Sequence, residues 1–359
     1  MIVGRSFGYG AILALIAGIT PAAAATATAL LNDYNLIVFG DVTSQSDVDG
    51  KAYIGGNLTG GSFDNHNVAA GPGINALTVG NNVSGSVTVN GPGVAIGGNL
   101  ATSNYNGNGG GNAYIGGSWT GSANFNLNGS GNVYLGGTKT GTGNVNGGSL
   151  FQNQSSSSFL ANVPTTATTS SIQTTLTNYS SFLGGLTANS TFSLNSGTAT
   201  FNASPNAQGL AIFDITNAQS FFTSVNQITF NLNGATEIIV DVTGAGSGTL
   251  TIAANFLGGQ AQTLAQDTLW NFTDATSLKI DNQFGGDILA NSAAVTLNQN
   301  EEGTLVAESL VQDGEVHYDG ANNNLPLAPT PVPATLPLFG GGLGLLGYLT
   351  RRRKQRSAI

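Results

Sequence analysis

Tyr53-Ile54-Gly55-Gly56-Asn57-Leu58-Thr59-Gly60 recurs as Thr78-Val79-Gly80-Asn81-Asn82-Val83-Ser84-Gly85 and as Ala95-Ile96-Gly97-Gly98-Asn99-Leu100-Ala101. Two further copies are Tyr114-Ile115-Gly116-Gly117-Ser118-Trp119-Thr120-Gly121 and Tyr134-Leu135-Gly136-Gly137-Thr138-Lys139-Thr140-Gly141. Their first glycines lie 25, 17, 19 and 20 residues apart. Short apolar runs between glycine corners at this period predict an all-β, right-handed β-solenoid. Its coils stack at about 4.8 Å. Ile54, Val79, Ile96, Ile115 and Leu135 then form one inward ladder, and Leu58, Val83, Leu100 and Trp119 a second, which Lys139 breaks. Asn57, Asn82, Asn99, Ser118 and Thr138 form a polar ladder at the turn. Glycine at the corners permits dihedrals that a Cβ disfavours. A flexible linker would not place an aliphatic residue before each pair. A calcium-binding repeat would need an Asp in each turn, and the aligned turns have none.

Outward from the repeats, Val38-Phe39-Gly40-Asp41-Val42 reads as a degenerate earlier copy, and Gly107 to Asn112 as a projecting loop. Ser155 to Ser158 is a polar break. Ile172, Leu176, Tyr179, Leu183 and Leu186 follow at +4, +3, +4 and +3, the stripe of an amphipathic helix. It is predicted over about 164–183, from Pro164 in the first turn to a stop at Gly184-Gly185. Strand patterns resume at Thr198 and continue to Ala307. The expected architecture is one interrupted solenoid over 31–320 with one helix packed on its flank.

Several segments are similar to the choice-of-anchor A family of surface domains. They are Leu36-Ile37-Val38-Phe39-Gly40-Asp41, Asp47 to Asn57, Leu269 to Thr276, Gly286-Asp287-Ile288-Leu289-Ala290, Gly303 to Glu308 and Glu315-Val316-His317. The resemblance implies an adhesive surface domain with an alternative attachment tail and no established catalytic residues.

The ends agree with export. Arg5, the loosely apolar run Tyr9 to Ile19 and the small residues Ala22 to Ala25 read as a signal peptide over 1–25. Cleavage after Ala24 or Ala25 fits, and Ala27 and Ala29 also satisfy the rule. After a linker at 321–331, Val332-Pro333-Ala334 precedes the glycine-loosened apolar stretch Leu336 to Leu349. The basic block Arg351, Arg352, Arg353 and Lys354 follows. A short apolar segment before a basic block stops translocation, but it is short for a spanning helix. The tail at 332–356 resembles PEP-CTERM sorting tails, nearest the VPLPA variant, although no Glu follows Pro333. That implies an exosortase-type processing protease as partner, a Gram-negative exporter and transient residence in the inner membrane. A permanent anchor is the alternative.

All eighteen Asp and Glu lie between Asp33 and Asp319, opposed there by Lys51, Lys139 and Lys279, which leaves the mature domain near −15. An arginine-free acidic surface excludes nucleic acid as a partner, since phosphate binding needs cations. The chain has no Cys, so neither disulfides nor thiolate chemistry operate. His66 and His317 are isolated, no zinc spacing exists, and no metal or cofactor is expected. Tyr53, Tyr114 and Tyr134, each before a glycine pair, offer a column for stacking on sugar rings, or else packing between coils. An extracellular glycan or matrix polymer is the expected ligand. The alternative is a polysaccharide-active enzyme using paired carboxylates, Asp281 with Asp287 or Asp47 with Asp49. An ice-binding solenoid is a third reading; Thr138 and Thr140 flank Lys139, but no coil-by-coil TxT column appears.

Overall fold

The computed structural model describes residues 26–69, 71–320, 322 and 324–326. The signal peptide and the sorting tail, with Val332, Pro333, Ala334 and the basic block, lie outside the described residues.

The chain winds into a three-sided β-solenoid of mostly parallel strands. Face A runs from Leu210–Ile215 at one end to Leu150–Phe151 at the other. Face B pairs Leu250–Ile252, Ser277–Ile280, Ala294–Leu297, Ser309–Gln312, Val42–Thr43 and Leu58–Thr59. It continues as single bridges through Leu100, Trp119 and Lys139. Face C includes Glu301–Glu302, Val316–His317, Asp47–Val48, Asn104–Gly107 and Ala123–Asn126. At the far end, a four-stranded sheet from Thr191 to Phe256 carries an antiparallel hairpin.

Coil order in space does not follow the sequence. The first coil sits mid-stack: Leu36 pairs on one side with Ala52 and on the other with Leu305. From there the chain winds outward to Phe151. Helix α1 (Ala27–Asp33) precedes this half, and α2 (Ser157–Leu160) ends it. Helix α3 (Thr166–Leu183) then lies on face A. The remaining coils wind back from the far end, with α4 (Ala218–Ser224) packed against Leu250–Ile252, until the last closes on the first.

Both inward ladders form as the repeat predicts. Ile54, Val79, Ile96, Ile115 and Leu135 are fully buried, as are Leu58, Val83, Leu100 and Trp119. Lys139 ends the second ladder by laying its ammonium 4.7 Å from the Trp119 ring centroid, a cation–π contact. The degenerate copy is a true coil, with Val38 in register with Ile54. The corner glycines serve a purpose different from the expected one. Gly55, Gly80, Gly97, Gly116 and Gly136 do not have positive φ. A Cβ on Gly80, Gly97, Gly116 or Gly136 would instead collide with the carbonyl oxygen of the corner glycine one coil back. They are required by close backbone stacking, which only a residue without a side chain allows.

Helix α3 begins at an N-cap, the Thr165 hydroxyl accepting from the Thr168 N–H. It buries Leu176, Tyr179 and Leu183 against Ile37, Tyr53, Ile212, Ile239, Leu269, Leu289 and Val306. A second apolar layer thus lies outside the sheet and bridges both halves of the stack. The start of the predicted linker is docked rather than free. Leu325 is buried in this layer, Asn322 donates to Glu237, and Tyr179 donates to the Pro326 carbonyl. Apolar burial of Leu325 outweighs the polar, linker-like composition around it.

Candidate functional site

Face B carries one outward residue per coil. In register these are Thr251, Lys279, Thr296, Val311, Thr43, Thr59 and Ser84. The bridges Val83–Leu100, Leu100–Trp119 and Trp119–Lys139 extend the row through Ala101, Thr120 and Thr140. Thr43, Thr59, Thr120, Thr140 and Thr251 are exposed, and the Thr59 and Ser84 hydroxyls lie 3.0 Å apart. This is a single-threonine row interrupted by Lys279, Val311, Ser84 and Ala101, not the TxT column that the sequence lacks. Its signal was in the aligned repeats, where Thr59, Ser84, Ala101, Thr120 and Thr140 each follow an inward residue of the second ladder. A search for paired threonines within one coil misses a single threonine repeated between coils.

The corner beside this row is pinned by the predicted polar ladder. Asp41 Oδ1 accepts the Asn57 N–H at 2.7 Å, Asn57 Oδ1 accepts from Asn82, Asn82 Oδ1 from Asn99 and Asn99 Oδ1 from Ser118. Ser118 Oγ then accepts from Thr138. A second asparagine ladder, not anticipated, joins Asn65, Asn90, Asn108, Asn126 and Asn146 side chain to side chain. These ladders tie together, coil to coil, the part of the stack that carries Thr43 to Thr140.

The three tyrosines do not form one exposed column. Tyr53 is 1% exposed under α3, its hydroxyl 2.8 Å from that of Thr169, so it is closed to a glycan. Tyr114 and Tyr134 are half-buried and stacked, with centroids 5.2 Å apart and planes at 9°. Phe151 continues the stack at 5.1 Å. Asn112 and Asn132 donate to the two tyrosine hydroxyls. The helix covers one end of face A and stops short of the other.

Asp281 and Asp287 lie on different faces, whereas Asp47 and Asp49 stay close enough for Asp49 to add to the burial that raises Asp47. Asp281 is near face B, bound 2.8 Å from Lys279, whose ammonium together with Asn298 holds its carboxyl below the usual range. Asp287 is buried on the face A side, where its Oδ1 accepts the Thr304 N–H and burial pushes its pKa up to about 7. Asp49 accepts the Tyr318 N–H and faces His66 at 3.3 Å. Burial and the nearby Glu315 raise Asp47. The turn at Gly50 is held by Asn35, not by these aspartates.

The closing coil gathers acids that sequence reading did not single out. Glu301 is fully buried with neither oxygen hydrogen-bonded, and burial, then Asp287, Glu302 and Asp319, raise it well above the ordinary range. Burial lifts Asp319 to about 6. His317 bridges Glu302 at 2.9 Å and Glu315 at 2.6 Å. Among the described residues no group of three His, Cys, Asp or Glu is placed to hold a metal ion. No helix among them is long and apolar enough to cross a membrane.

Comparison with curated proteins gives no match. Among solved structures, the crystal structure of an ice binding protein from an Antarctic bacterium, Flavobacteriaceae, aligns over 85% of this chain and 98% of its own. The identity is 13% and the TM-score 0.28. The family model described as "Putative Ice-binding-like adhesive domain" matches residues 27–118 and 110–318, nearly the whole of the described solenoid. The chain belongs to this ice-binding-like adhesive domain family.

Proposed function

We propose that the chain is an exported, non-catalytic adhesive protein that attaches through face B to an extended hydroxyl-rich surface, an extracellular glycan or matrix polymer. The observation that carries this is the outward row from Thr251 to Thr140, six threonines and one serine interrupted by Lys279, Val311 and Ala101. Each contact is weak, and their number on one rigid body supplies avidity. The half-buried Tyr114–Tyr134–Phe151 stack adds a sugar-stacking edge on face A. The placement of Asp281 and Asp287 on different faces supports a non-catalytic role for that pair.

Ice is a second reading, favoured by the run Thr43, Thr59 and Ser84 and the pair Thr120 and Thr140, where hydroxyls recur coil by coil at about 4.8 Å. Retention of the full chain on insoluble polysaccharides, measured beside thermal hysteresis, separates the two. Thr59→Tyr and Thr120→Tyr should abolish whichever binding occurs without changing the melting temperature. Polymer retention that survives both substitutions would remove face B from the proposal. Hysteresis without polymer retention would replace the polymer by ice.

The ends complete the proposal. The signal peptide at 1–25 directs export. An exosortase-type protease in the inner membrane of a Gram-negative cell then cuts near Val332-Pro333-Ala334, while Arg351 to Lys354 hold the tail. The domain passes to the cell surface or matrix. Intact mass of the native surface protein should place its C-terminus near 331–334. Full-length protein ending at Ile359 in the inner membrane would overturn the processing step in favour of a permanent anchor.

A further inference from the structure

Between the C-terminal half of α3 and the outer side of face A lies a cleft of about 270 Å³. Its wall includes Ser181, Gly184, Asp241, Thr243, Thr273 and Asn291. The donors of this wall are largely spent. The Ser181 hydroxyl donates to the Thr177 carbonyl, Thr243 to Ile215 and Thr273 to Val242. Asn291 gives its amide N–H to the Leu176 carbonyl, while its Oδ1 is buried with no partner. Asn271 donates to Asp241 Oδ1 at 2.7 Å and is itself fixed by Ser180. That leaves Asp241 Oδ2; the Ser181, Thr243 and Thr273 hydroxyls keep lone pairs only, while exposed Thr177 and Ser292 complete the wall. Gly184 leaves room beside the carboxylate, since a Cβ there would sit 3.4 Å from it.

The charge of the cleft is uncompensated. Asp214 is in register with Asp241 on the neighbouring coil, and Asp274 lies on the same side of the stack. The three lysines among the described residues are engaged elsewhere: Lys51 with Asp64, Lys139 on Trp119 and Lys279 with Asp281. A negative wall with more acceptors than free donors favours a ligand that brings positive charge and several O–H or N–H groups. The volume suits one sugar ring.

We propose that this cleft holds one hexosamine unit, its ammonium at Asp241 and its hydroxyls donating to Ser181, Thr243 and Thr273. The site is distinct from face B and adds a single-residue specificity to the extended surface. Isothermal titration of the full chain with glucosamine at neutral pH should give saturable binding. Glucose and N-acetylglucosamine, which lack the ammonium, should bind at least ~10-fold more weakly. Asp241→Asn keeps the shape and removes the charge. Gly184→Leu fills the mouth at ordinary helical φ and keeps the charge. Each should weaken glucosamine at least ~10-fold with the thermal transition retained, while Thr120→Tyr on face B leaves it unchanged. Failure of glucosamine to bind, equal binding of glucose, or wild-type affinity in both cleft variants would overturn the proposal. None of these outcomes bears on face B.

Discussion

Leu36 and Leu305 are backbone partners in one parallel sheet, so the first coil of the solenoid is closed by the last. Neither half can complete this middle layer alone. Helix α3 crosses the same junction, burying side chains from both halves, among them Tyr53 and Ile239. The described domain should therefore unfold as one unit. Far-UV circular dichroism and intrinsic fluorescence should give coincident, mostly-strand transitions. Separate transitions for the two halves would show that the junction does not couple them.

The helix stripe gives a sharp contrast. Leu176 is fully buried, and its neighbour Thr175 is only half-buried. Leu176→Asp places an unpaired charge in the apolar layer and should cost more than about 4 kcal/mol. Thr175→Asp keeps its charge within reach of solvent and should cost about 1 kcal/mol or less. Chemical denaturation of both variants measures the difference, and equal losses would contradict the packing.

Corner glycines should divide by mechanism. Gly97→Ala drives a Cβ into the Gly80 carbonyl and should cost about 3 kcal/mol or more. Gly73 has φ +84 and nothing within 4 Å of a built Cβ, so Gly73→Ala should cost only about 1 kcal/mol. Reversal of this order in melting temperature would show that dihedral freedom, rather than coil contact, sets the glycine requirement.

The polar ladder needs an acceptor at each rung. Asn99→Ala leaves the Ser118 N–H without its side-chain partner and should cost about 1 kcal/mol. Asn99→Asp keeps the acceptor, as Asp41 does at the head of the ladder, and should restore most of the loss. Equilibrium urea unfolding of the pair tests it. Equal destabilisation would mean that the amide, not the acceptor, matters.

Stability should fall as pH rises. Burial holds Glu237 near about 9, Asp287 near about 7, and Asp241 and Asp319 near about 6. In each case the folded state keeps a proton that the unfolded chain releases. Their stabilisation is complete below the unfolded carboxylate value of about 4. It is lost as pH climbs through the folded values, ending near about 9 with Glu237. His317 is raised despite burial, through Glu315 and Glu302, and acts in the same direction. Asp281 opposes them, since its lowered value favours higher pH, but it is largely solvated. The melting temperature should therefore be higher at pH 5 than at pH 9, and Glu237→Gln should flatten the slope. A rise in melting temperature with pH would refute the assignment.

Much of the fold was legible because coil stacking repeats a local pattern. Ile54 to Leu135, Leu58 to Trp119 and Asn57 to Thr138 fell into their ladders by alignment alone, and the helix stripe by its periodicity. Pairing of Leu36 with Leu305 was not legible, since no local pattern records which coil closes on which. Tyr53 was misplaced for the same reason: it occupies the same repeat position as Tyr114, but α3 covers only one of them. The face B row was written in every copy, yet serine or alanine at some coils hid it from a search for threonine pairs. Glu301 sits where Phe284 and Val316 occupy neighbouring coils, and sequence gives no sign that a carboxyl can take an apolar position.

Both ends of the described chain meet face A near α3: α1 packs on the helix, and Leu325 and Pro326 dock beside Tyr179. The chain at Pro326 therefore leaves the fold on face A beside the second coil from one end, where Asn322 and Asn324 hold Glu237 and the Thr236 carbonyl. That exit lies on the side of the stack that α3 covers, so it leaves the face B row clear.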